Sequence, residues 1–289
     1  MSRAASYMAL TKPRILPLVL FSGLPALVLA GGIWPSPELL GATLLGTALC
    51  AAAANALNSY LERDRDALME RTQDRPLPSG ALRPGPALVF SLILGAVGTG
   101  MLWAWSGAAA AGIALAAIGI YIFVYTLWLK PRTPFAVIVG GISGAIAPLI
   151  ADAAVTGHVG LVGALLFSII FVWQPPHFYA IALFRREDYA KAGFPMLPDR
   201  IGEEATYRRI LLWTAVLIPV TLLPALLPGL GAIYLVAAVG LGALFVRAAL
   251  RLRAQRTPEA ARSLFLVSLI QLLGLFTAMI IELGVDRVI

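Results

Sequence analysis

Apolar residues dominate nine stretches of the chain, and short segments rich in polar residues, glycine and proline separate them. A helix needs about 20 predominantly apolar residues to cross a bilayer, and each stretch comes close to that length or exceeds it. The pattern therefore predicts an all-α polytopic membrane protein in which residues 1–289 form one integral-membrane domain. The nine predicted transmembrane helices lie near residues 15–33, 39–60, 86–105, 108–129, 134–151, 159–184, 210–226, 230–248 and 263–283.

Composition and charge support this fold class and predict an orientation. Hydrophobic residues make up 60% of the chain and charged residues only 13%, and the mean hydropathy of +0.86 is typical of a protein embedded in lipid. Of the 22 Lys and Arg residues, 21 lie before span 1 or at the loops after spans 2, 4, 6 and 8; the other is Arg287. The positive-inside rule then predicts that the N-terminus lies in the cytoplasm and the C-terminus outside, and we expect the protein in a bacterial cytoplasmic (inner) membrane. The net charge of +7 is accordingly a topology signal, and no nucleic-acid partner is expected.

Two short motifs recur with nearly the same offset. The Lys-Pro-Arg sequence at 12–14, before span 1, returns at 130–132, before span 5, and the Leu-Pro pair at 77–78 returns at 197–198. Both echoes fall at matching positions in the predicted topology. The sequence therefore predicts two pseudo-repeated four-helix units around a central cavity open toward the cytoplasmic side, since repeat-built membrane proteins commonly bind substrates between their repeats.

Three oxygen-bearing side chains, Asn58, Glu62 and Asp66, recur every four residues where the second span ends. A four-residue step rotates only about 40° around an α-helix, so these side chains form a stripe on one face. Mg²⁺ prefers oxygen ligands and often binds through one or two carboxylates together with substrate phosphates. The alternative is a solvated, salt-bridged helix end, because acidic and basic residues alternate through 62–71. From the stripe alone, both interpretations stay open.

A second polar segment follows span 6, at the position that matches the stripe in the repeat. Pro175 and Pro176 remove two backbone donors directly before His177, and we expect them to disturb the helix near its cytoplasmic end. Glu187 and Asp188 lie about a loop's length further along the chain. Ionisable groups at a membrane interface are usually functional. The alternative is that the prolines only kink the span and that the two acids pair with neighbouring basic residues.

Together the two segments resemble the UbiA superfamily of intramembrane prenyltransferases, and within it the branch that modifies heme. The stripe, followed by Arg-Pro-Leu-Pro at 75–78, is similar to the motif shared across the superfamily. The Trp-Gln-Pro-Pro-His-Phe sequence at 173–178 and the Pro-Met-Leu-Pro sequence at 195–198 resemble the heme branch in particular. The resemblance covers essentially the whole chain. Many members carry a second aspartate-rich motif after span 6, where this chain has only Asp188 with Glu187 beside it.

This resemblance implies a reaction and a set of site residues. The reaction is transfer of farnesyl from farnesyl diphosphate to a vinyl group of protoheme IX, with addition of water, giving heme O and diphosphate. Mg²⁺ is the implied cofactor, held by Asn58, Glu62 and Asp66, with Asp188 at a second ion; heme is a substrate rather than a cofactor, and we expect His177 to act on it. The implied substrate-binding side chains are Arg71, Lys130 and Arg132 for the diphosphate, and Tyr121, Tyr125 and Trp173 for the farnesyl cation.

Three alternatives share parts of this pattern. A sister enzyme that prenylates a quinone-precursor aromatic acid would share the stripe but would not need His177. A secondary transporter also has repeats and broken helices, but here the acidic residues cluster at one membrane surface. A heme-delivery or assembly protein has no evident need for a metal stripe beside cationic side chains. Besides the substrates and the lipid bilayer, the expected partners are heme A synthase or a terminal oxidase.

Overall fold

The computed structural model describes residues 2–14 and 16–285, and that part of the chain contains helices but no strand. Ile15, at the start of the first predicted span, and Arg287 lie outside the described residues. Two π-helical segments, Leu102–Ser106 and Ile120–Leu129, and a 3₁₀ segment, Leu223–Leu226, interrupt or extend the α-helices. The α-helices are α1 Arg3–Leu10, α2 Leu16–Gly31, α3 Pro37–Leu61, α4 Arg63–Asp66, α5 Pro84–Met101, α6 Gly107–Gly119, α7 Ala136–Gly144, α8 Ala147–Thr156, α9 Leu161–Phe184, α10 Arg186–Lys191, α11 Leu197–Ile201, α12 Glu203–Leu222, α13 Ala232–Gln255 and α14 Pro258–Val285.

Seven helices in the described residues are long and apolar enough to cross a membrane, which confirms a multi-pass all-α protein. Six of them coincide with predicted spans 2 and 5 to 9. The seventh, Pro84–Leu129, covers predicted spans 3 and 4 with 46 residues, which at 1.5 Å per residue is roughly twice the thickness of a bilayer's hydrocarbon core. The first predicted span corresponds to α2, which has 16 residues and is shorter than the others.

The 46-residue helix reverses direction at Gly107. There the first π-helical segment ends and the backbone adopts φ +88° and ψ 166°, which a residue with a side chain rarely does. Beyond the reversal, Ile118 of α6 lines the same apolar groove as Leu92 of α5, a groove of about 480 Å³. The two halves of this long helix therefore run antiparallel to each other.

The main hydrophobic core lies between α2, α9, α12, α13 and α14. α9 packs against α7, α8, α12 and α14, so helices surround it. α2 packs against α8. In the first half of the chain, α3 and α5 approach almost backbone to backbone: a Cβ atom on Gly98 would lie 2.8 Å from Cβ of Leu49 and 2.9 Å from the backbone nitrogen of Cys50. These close contacts fix the middle of α3 against α5.

Two buried carboxylates cap helix N-termini at the end of the bundle away from the stripe. Asp152 Oδ2 accepts hydrogen bonds from the N–H groups of Gly160 and Gly163, both at 2.8 Å, at the start of α9. Glu282 accepts hydrogen bonds from the N–H groups of Ile233 and Tyr234, in the first turn of α13, at 3.0 and 2.9 Å. Because helix N-termini leave N–H groups unpaired and carry a partial positive charge, the burial of these acids is explained by their structural role.

The expected break at Pro175 and Pro176 does not occur. Both prolines are buried inside α9, which continues to Phe184. A proline deprives one carbonyl of its helical partner, but helices in a membrane tolerate this where neighbouring helices hold them. Here Gln174 Nε2 donates to the carbonyl of Gly141 in α7 at 2.8 Å, and Trp173 Nε1 donates to a carbonyl of α14 at 2.8 Å. Packing on two sides therefore overrides the local preference for a break.

Candidate active site

The stripe of Asn58, Glu62 and Asp66 continues past the end of α3 into α4. The N–H of Glu62 donates to the carbonyl of Asn58 at 2.9 Å, and the N–H of Asp66 to the carbonyl of Glu62 at 2.8 Å. The three residues are only 2%, 7% and 1% exposed, whereas the side chain of Asp64 is 86% exposed. The stripe thus faces the protein interior, and the alternative of a solvated helix end does not hold for it.

A basic side chain contacts each residue of the stripe. Burial, and then the positive charges of Arg75 and Lys130, lower the pKa of Lys12 to about 7. Cations crowded this closely attract an anion with several oxygen atoms. The contacts are Lys12 Nζ to Asn58 Oδ1 at 2.8 Å, Lys130 Nζ to the two carboxylate oxygens of Glu62 at 2.5 and 2.7 Å, and Arg75 Nη1 to Asp66 Oδ2 at 2.8 Å.

Lys12 is a site residue that the sequence interpretation missed. Local sequence marks Lys12 only by its charge and by the repeat, in which it occupies the position of Lys130 in the first of the two Lys-Pro-Arg segments. Lys12 has φ +53°, a left-handed conformation that residues with side chains adopt rarely. This turn between α1 and α2 directs its amine to the stripe. The repeat was therefore the signal that would have identified it.

The second π-helical segment, Ile120–Leu129, brings another side of the site together. Asn58 Nδ2 donates to Thr126 Oγ1 at 3.2 Å, and that hydroxyl donates to the carbonyl of Tyr121 at 2.8 Å, five residues earlier. The rings of Tyr121 and Tyr125 stack with centroids 5.4 Å apart, and Lys130 Nζ lies 5.7 Å from the Tyr125 centroid. π-helical turns often occur at functional sites, and this ten-residue segment places an amine and two aromatic rings beside the stripe.

The segment after α9 lies over the stripe. Arg71 Nε is 3.3 Å from Asp188 Oδ2, an ion pair without hydrogen-bond geometry, and both carboxylate oxygens of Asp188 are buried without accepting a hydrogen bond. Arg71 also lies over the ring of Tyr189, 4.9 Å from its centroid. The ring of Phe194 lies 4.7 Å from Lys130 Nζ. The two polar loops that the sequence singled out therefore meet at one place.

A partly open cavity of about 110 Å³ adjoins this junction. Its lining includes Lys130, Tyr125, Tyr179, Tyr189 and Phe194. This volume is well below the roughly 300–1,000 Å³ of typical ligand sites, so a long apolar substrate requires the lining side chains to move apart. Its mixture of one amine and several aromatic rings suits an anionic head followed by an apolar chain.

His177 lies in a separate aromatic cluster between α9 and α14. Trp173 stacks on its imidazole with ring centroids 4.3 Å apart, and Phe265 lies 4.9 Å away. His177 Nδ1 is 2.6 Å from Ser268 Oγ. Trp173 is buried in this cluster, beside His177, and does not line the 110 Å³ cavity.

The sequence matches the UbiA prenyltransferase family over residues 19–276. The chain belongs to the UbiA prenyltransferase family. It is 47% identical to the protoheme IX farnesyltransferase of Gloeobacter violaceus, over 98% of this chain and 92% of that protein, and 44% identical to that of Aromatoleum aromaticum, over 97% and 92%. The predicted family and enzyme class are thereby confirmed, and the transporter and delivery alternatives find no support.

Two solved structures show the UbiA fold of this chain. A digeranylgeranylglyceryl phosphate synthase superposes with a TM-score of 0.81 and 18% identity, covering 98% of this chain and 100% of the other. A UbiA homologue from Archaeoglobus fulgidus bound to GPP and Mg²⁺ superposes with a TM-score of 0.60 and 18% identity, covering 95% and 99%. The all-helical architecture is therefore that of the UbiA proteins.

The donor atoms of this UbiA protein suit a hard cation. Among the described residues, no group of three or more His, Cys, Asp or Glu side chains is gathered closely enough to hold a metal ion unaided. The stripe instead offers one amide and two carboxylates on one buried face, and Asp188 adds a buried carboxylate without a hydrogen bond. A buried carboxylate that accepts no hydrogen bond is costly, and Mg²⁺ commonly completes its coordination with substrate phosphates. These residues fit Mg²⁺ together with a diphosphate.

Two residues that the sequence singled out, Arg132 and Glu187, lie away from the junction. The exposed guanidinium of Arg132 donates to the carbonyls of Leu127 and Trp128, at 3.1 and 2.7 Å, and so caps the π-helical segment. Glu187 is exposed, unlike its neighbour Asp188. The structure thus brings Arg71, Lys130 and Asp188 to the stripe but not Arg132, and Arg75 stands in its place.

Proposed function

We propose that this UbiA enzyme transfers farnesyl from farnesyl diphosphate to a vinyl group of protoheme IX, with addition of water, to give heme O and diphosphate. The observation that carries the proposal is the buried stripe, contacted by three cations, at the polar end of an aromatic cavity. The chain is 47% identical, over 98% of its length, to a protoheme IX farnesyltransferase, and this similarity supports heme as the acceptor. In the reaction the allylic C–O bond breaks, a C–C bond forms to the vinyl carbon, and water supplies the hydroxyl group and releases a proton.

Binding of the diphosphate is assigned to the basic side chains at the stripe. Lys12, Lys130, Arg75 and Arg71 converge there from three segments of the chain, Arg71 and Arg75 both from the loop between α4 and α5. Charge-assisted hydrogen bonds to phosphate oxygens are short and strong, and they strengthen as the leaving diphosphate gains charge. The proposed cofactor, Mg²⁺, would be held by Asn58, Glu62 and Asp66, with Asp188 at a second ion, and when bound it neutralises charge on the leaving group.

Protection of the farnesyl cation is assigned to the aromatic lining. The faces of Tyr121 and Tyr125 carry negative quadrupole charge that stabilises a nearby cation. Tyr125 lines the cavity together with Tyr189 and Phe194 of the segment after α9, and Tyr121 stacks on Tyr125. Excluding bulk water prevents capture of the cation before the vinyl group attacks it. His177, with Trp173 stacked on it, is assigned to the heme side of the site.

The proposed membrane arrangement has nine crossings in two four-helix units, with α14 as the ninth. The antiparallel halves of Pro84–Leu129 supply two crossings and the apolar α2 supplies the first. The stripe, α10 and the C-terminal end of α13 lie at one end of the bundle, since Arg71 pairs with Asp188, Arg186 with Glu203, and Arg253 with Glu204. We place that basic end in the cytoplasm, in a bacterial inner membrane, with the C-terminus outside. Heme A synthase or a terminal oxidase is the proposed user of the product.

The activity is tested with purified protein in nanodiscs supplied with farnesyl diphosphate, ferrous protoheme IX and Mg²⁺. Heme extracted from the reaction should contain heme O, identified by mass, and diphosphate should accumulate in equal amount. Glu62→Gln protein serves as the inactive control. A second reaction replaces protoheme with 4-hydroxybenzoate, a quinone-precursor acid. Farnesylation of the aromatic acid without formation of heme O would overturn the proposal in favour of the sister enzyme.

A further inference from the structure

Ser268 of α14 contacts two side chains of α9 at once. Its Oγ lies 2.6 Å from His177 Nδ1, and its backbone carbonyl accepts a hydrogen bond from Trp173 Nε1 at 2.8 Å. Ser268 is 0% exposed and His177 7%. The imidazole is therefore held by a hydrogen bond at one nitrogen and by a stacked indole on one face.

The proton of the Ser268 hydroxyl is already engaged elsewhere. Oγ donates to the carbonyl of Phe265, in the preceding turn of α14, at 2.6 Å. A hydroxyl group has one hydrogen, so toward His177 the same oxygen acts as an acceptor. Nδ1 must then carry the proton. Because three aromatic rings enclose the imidazole, its neutral form is favoured over a charged one, and the unshared electron pair is on Nε2.

His177 Nε2 has no hydrogen-bond partner among the described residues. An imidazole nitrogen with a free electron pair binds heme iron, or it takes a proton from water or orients that water. Both roles belong to the heme side of the reaction, where a water molecule adds to the prenylated vinyl carbon. The other tautomer, in which Nε2 carries the hydrogen, can neither bind iron through Nε2 nor take a proton there.

We infer that Ser268 is a positioning residue for His177, fixing the tautomer that presents the Nε2 electron pair to the protoheme substrate. The inference rests on the proposed function, in which protoheme is the prenyl acceptor. Ser268 touches neither substrate and acts through the histidine. Partners that orient a ligating histidine in this way typically contribute about 10- to 100-fold to affinity or activity.

The test compares Ser268→Ala, Ser268→Thr and a matched control, Ser91→Ala. Ser91 is also 0% exposed, and its hydroxyl donates to a carbonyl one turn earlier, that of Ala87 at 2.7 Å, but it contacts no histidine. Protoheme affinity, the Soret band of the bound heme, heme O formation and farnesyl diphosphate binding are measured in nanodiscs. Ser268→Ala should lose on the order of 10-fold in heme affinity or turnover and keep farnesyl diphosphate binding. Ser268→Thr should recover most of the loss, and Ser91→Ala should match wild type.

A double-mutant cycle separates positioning from packing. In a His177→Ala background, Ser268→Ala should cause no further loss, because Ser268 acts only through the imidazole. A second loss of equal size there would overturn the inference, and so would a Ser268→Ala protein with wild-type heme affinity, spectrum and turnover. If Ser268→Ala does not fold, Ser268→Cys takes its place, since a thiol is a weak acceptor. Wild-type protein that fails to bind protoheme would overturn the proposed function as well, whereas normal wild-type binding without a Ser268 effect overturns this inference alone.

Discussion

Lys130 Nζ lies 2.5 and 2.7 Å from the two carboxylate oxygens of Glu62, which is 68 residues earlier in the chain. The pair joins the end of α3 to the start of the second half of the protein. Its side chains are 20% and 8% exposed, so both have lost much of their hydration, and removing one partner leaves the other uncompensated. When substrate binds, we expect Mg²⁺ to take the place of Lys130 beside Glu62 and the diphosphate to take the place of Glu62 beside Lys130. No charge in the site is then left unpaired.

Removing a carboxylate from the stripe should abolish turnover. In Glu62→Gln and Asp66→Asn proteins we expect heme O formation to fall on the order of 10²-fold or more, because a charge-stabilising contact to the leaving group is lost. Asp64→Asn is the matched control, since Asp64 lies between these residues in sequence but has an exposed side chain. Activity of either stripe variant within a factor of two of wild type, at saturating Mg²⁺, would contradict the assignment.

Substitution of the basic residues at the stripe should lower kcat/KM, whereas substitution of the more distant Arg132 should not. Lys12→Gln and Lys130→Gln should each lower kcat/KM for farnesyl diphosphate by about 10-fold or more, the size expected for a hydrogen bond to a charged group. Arg132→Gln should stay near wild type, because its guanidinium binds backbone carbonyls at the end of the π-helical segment. Steady-state kinetics with varied farnesyl diphosphate decide the matter. Equal losses in Arg132→Gln and Lys130→Gln would show that the diphosphate lies elsewhere.

Asp188 should affect the response to metal. In an Asp188→Asn protein we expect the Mg²⁺ concentration for half-maximal activity to rise on the order of 10-fold, since losing one carboxylate ligand weakens binding of a hard cation. Glu187→Gln provides the control, because that neighbouring side chain is exposed. Mg²⁺ titrations of initial rate test the prediction. An unchanged Mg²⁺ requirement in Asp188→Asn would limit the role of Asp188 to its ion pair with Arg71.

Labelling of single cysteines tests the orientation. In a Cys50→Ala background, cysteines replacing the exposed residues Gln73, Lys191 and Arg256 should react with a membrane-impermeant maleimide only from the cytoplasmic side. A cysteine replacing the exposed Gly157 should react only from outside, because the basic loops stay in the cytoplasm. Sidedness is measured in right-side-out and inverted vesicles. Opposite sidedness of positions 73 and 191 would be incompatible with a site formed by both loops.

The two buried caps should contribute to stability and not to chemistry. Asp152→Ala removes the acceptor for two N–H groups of α9, and we expect a loss of about 1–3 kcal/mol, the cost of leaving buried donors unpaired. Glu282→Gln keeps an acceptor at the start of α13 and should lose less. Thermal unfolding in detergent measures both, with Glu259→Gln, an exposed acid on α14, as the control. A large drop in kcat at unchanged stability would contradict a purely structural role.

Local composition determined the fold class and the position of six long helices, and helical periodicity placed the three stripe residues on one face. Insertion of a helix into lipid depends on the apolar content of about 20 consecutive residues, and the stripe depends only on helical periodicity. Both properties are local, so they are visible in the amino-acid sequence. The family was also recognisable there, because its motifs are contiguous segments.

Tertiary structure decided what completes the site. Lys12 reaches Asn58 across 46 residues, and Ser268 reaches His177 across 91, so neither pairing leaves a trace in local periodicity. The Pro175-Pro176 pair is a local signal for a break, yet α9 continues because α7 and α14 hold it on both sides. Arg75 and not Arg132 faces the stripe, although both are basic residues at the same membrane surface. Direction of a side chain depends on the packing of its helix, and that packing is the sum of many weak contacts between segments distant in the chain.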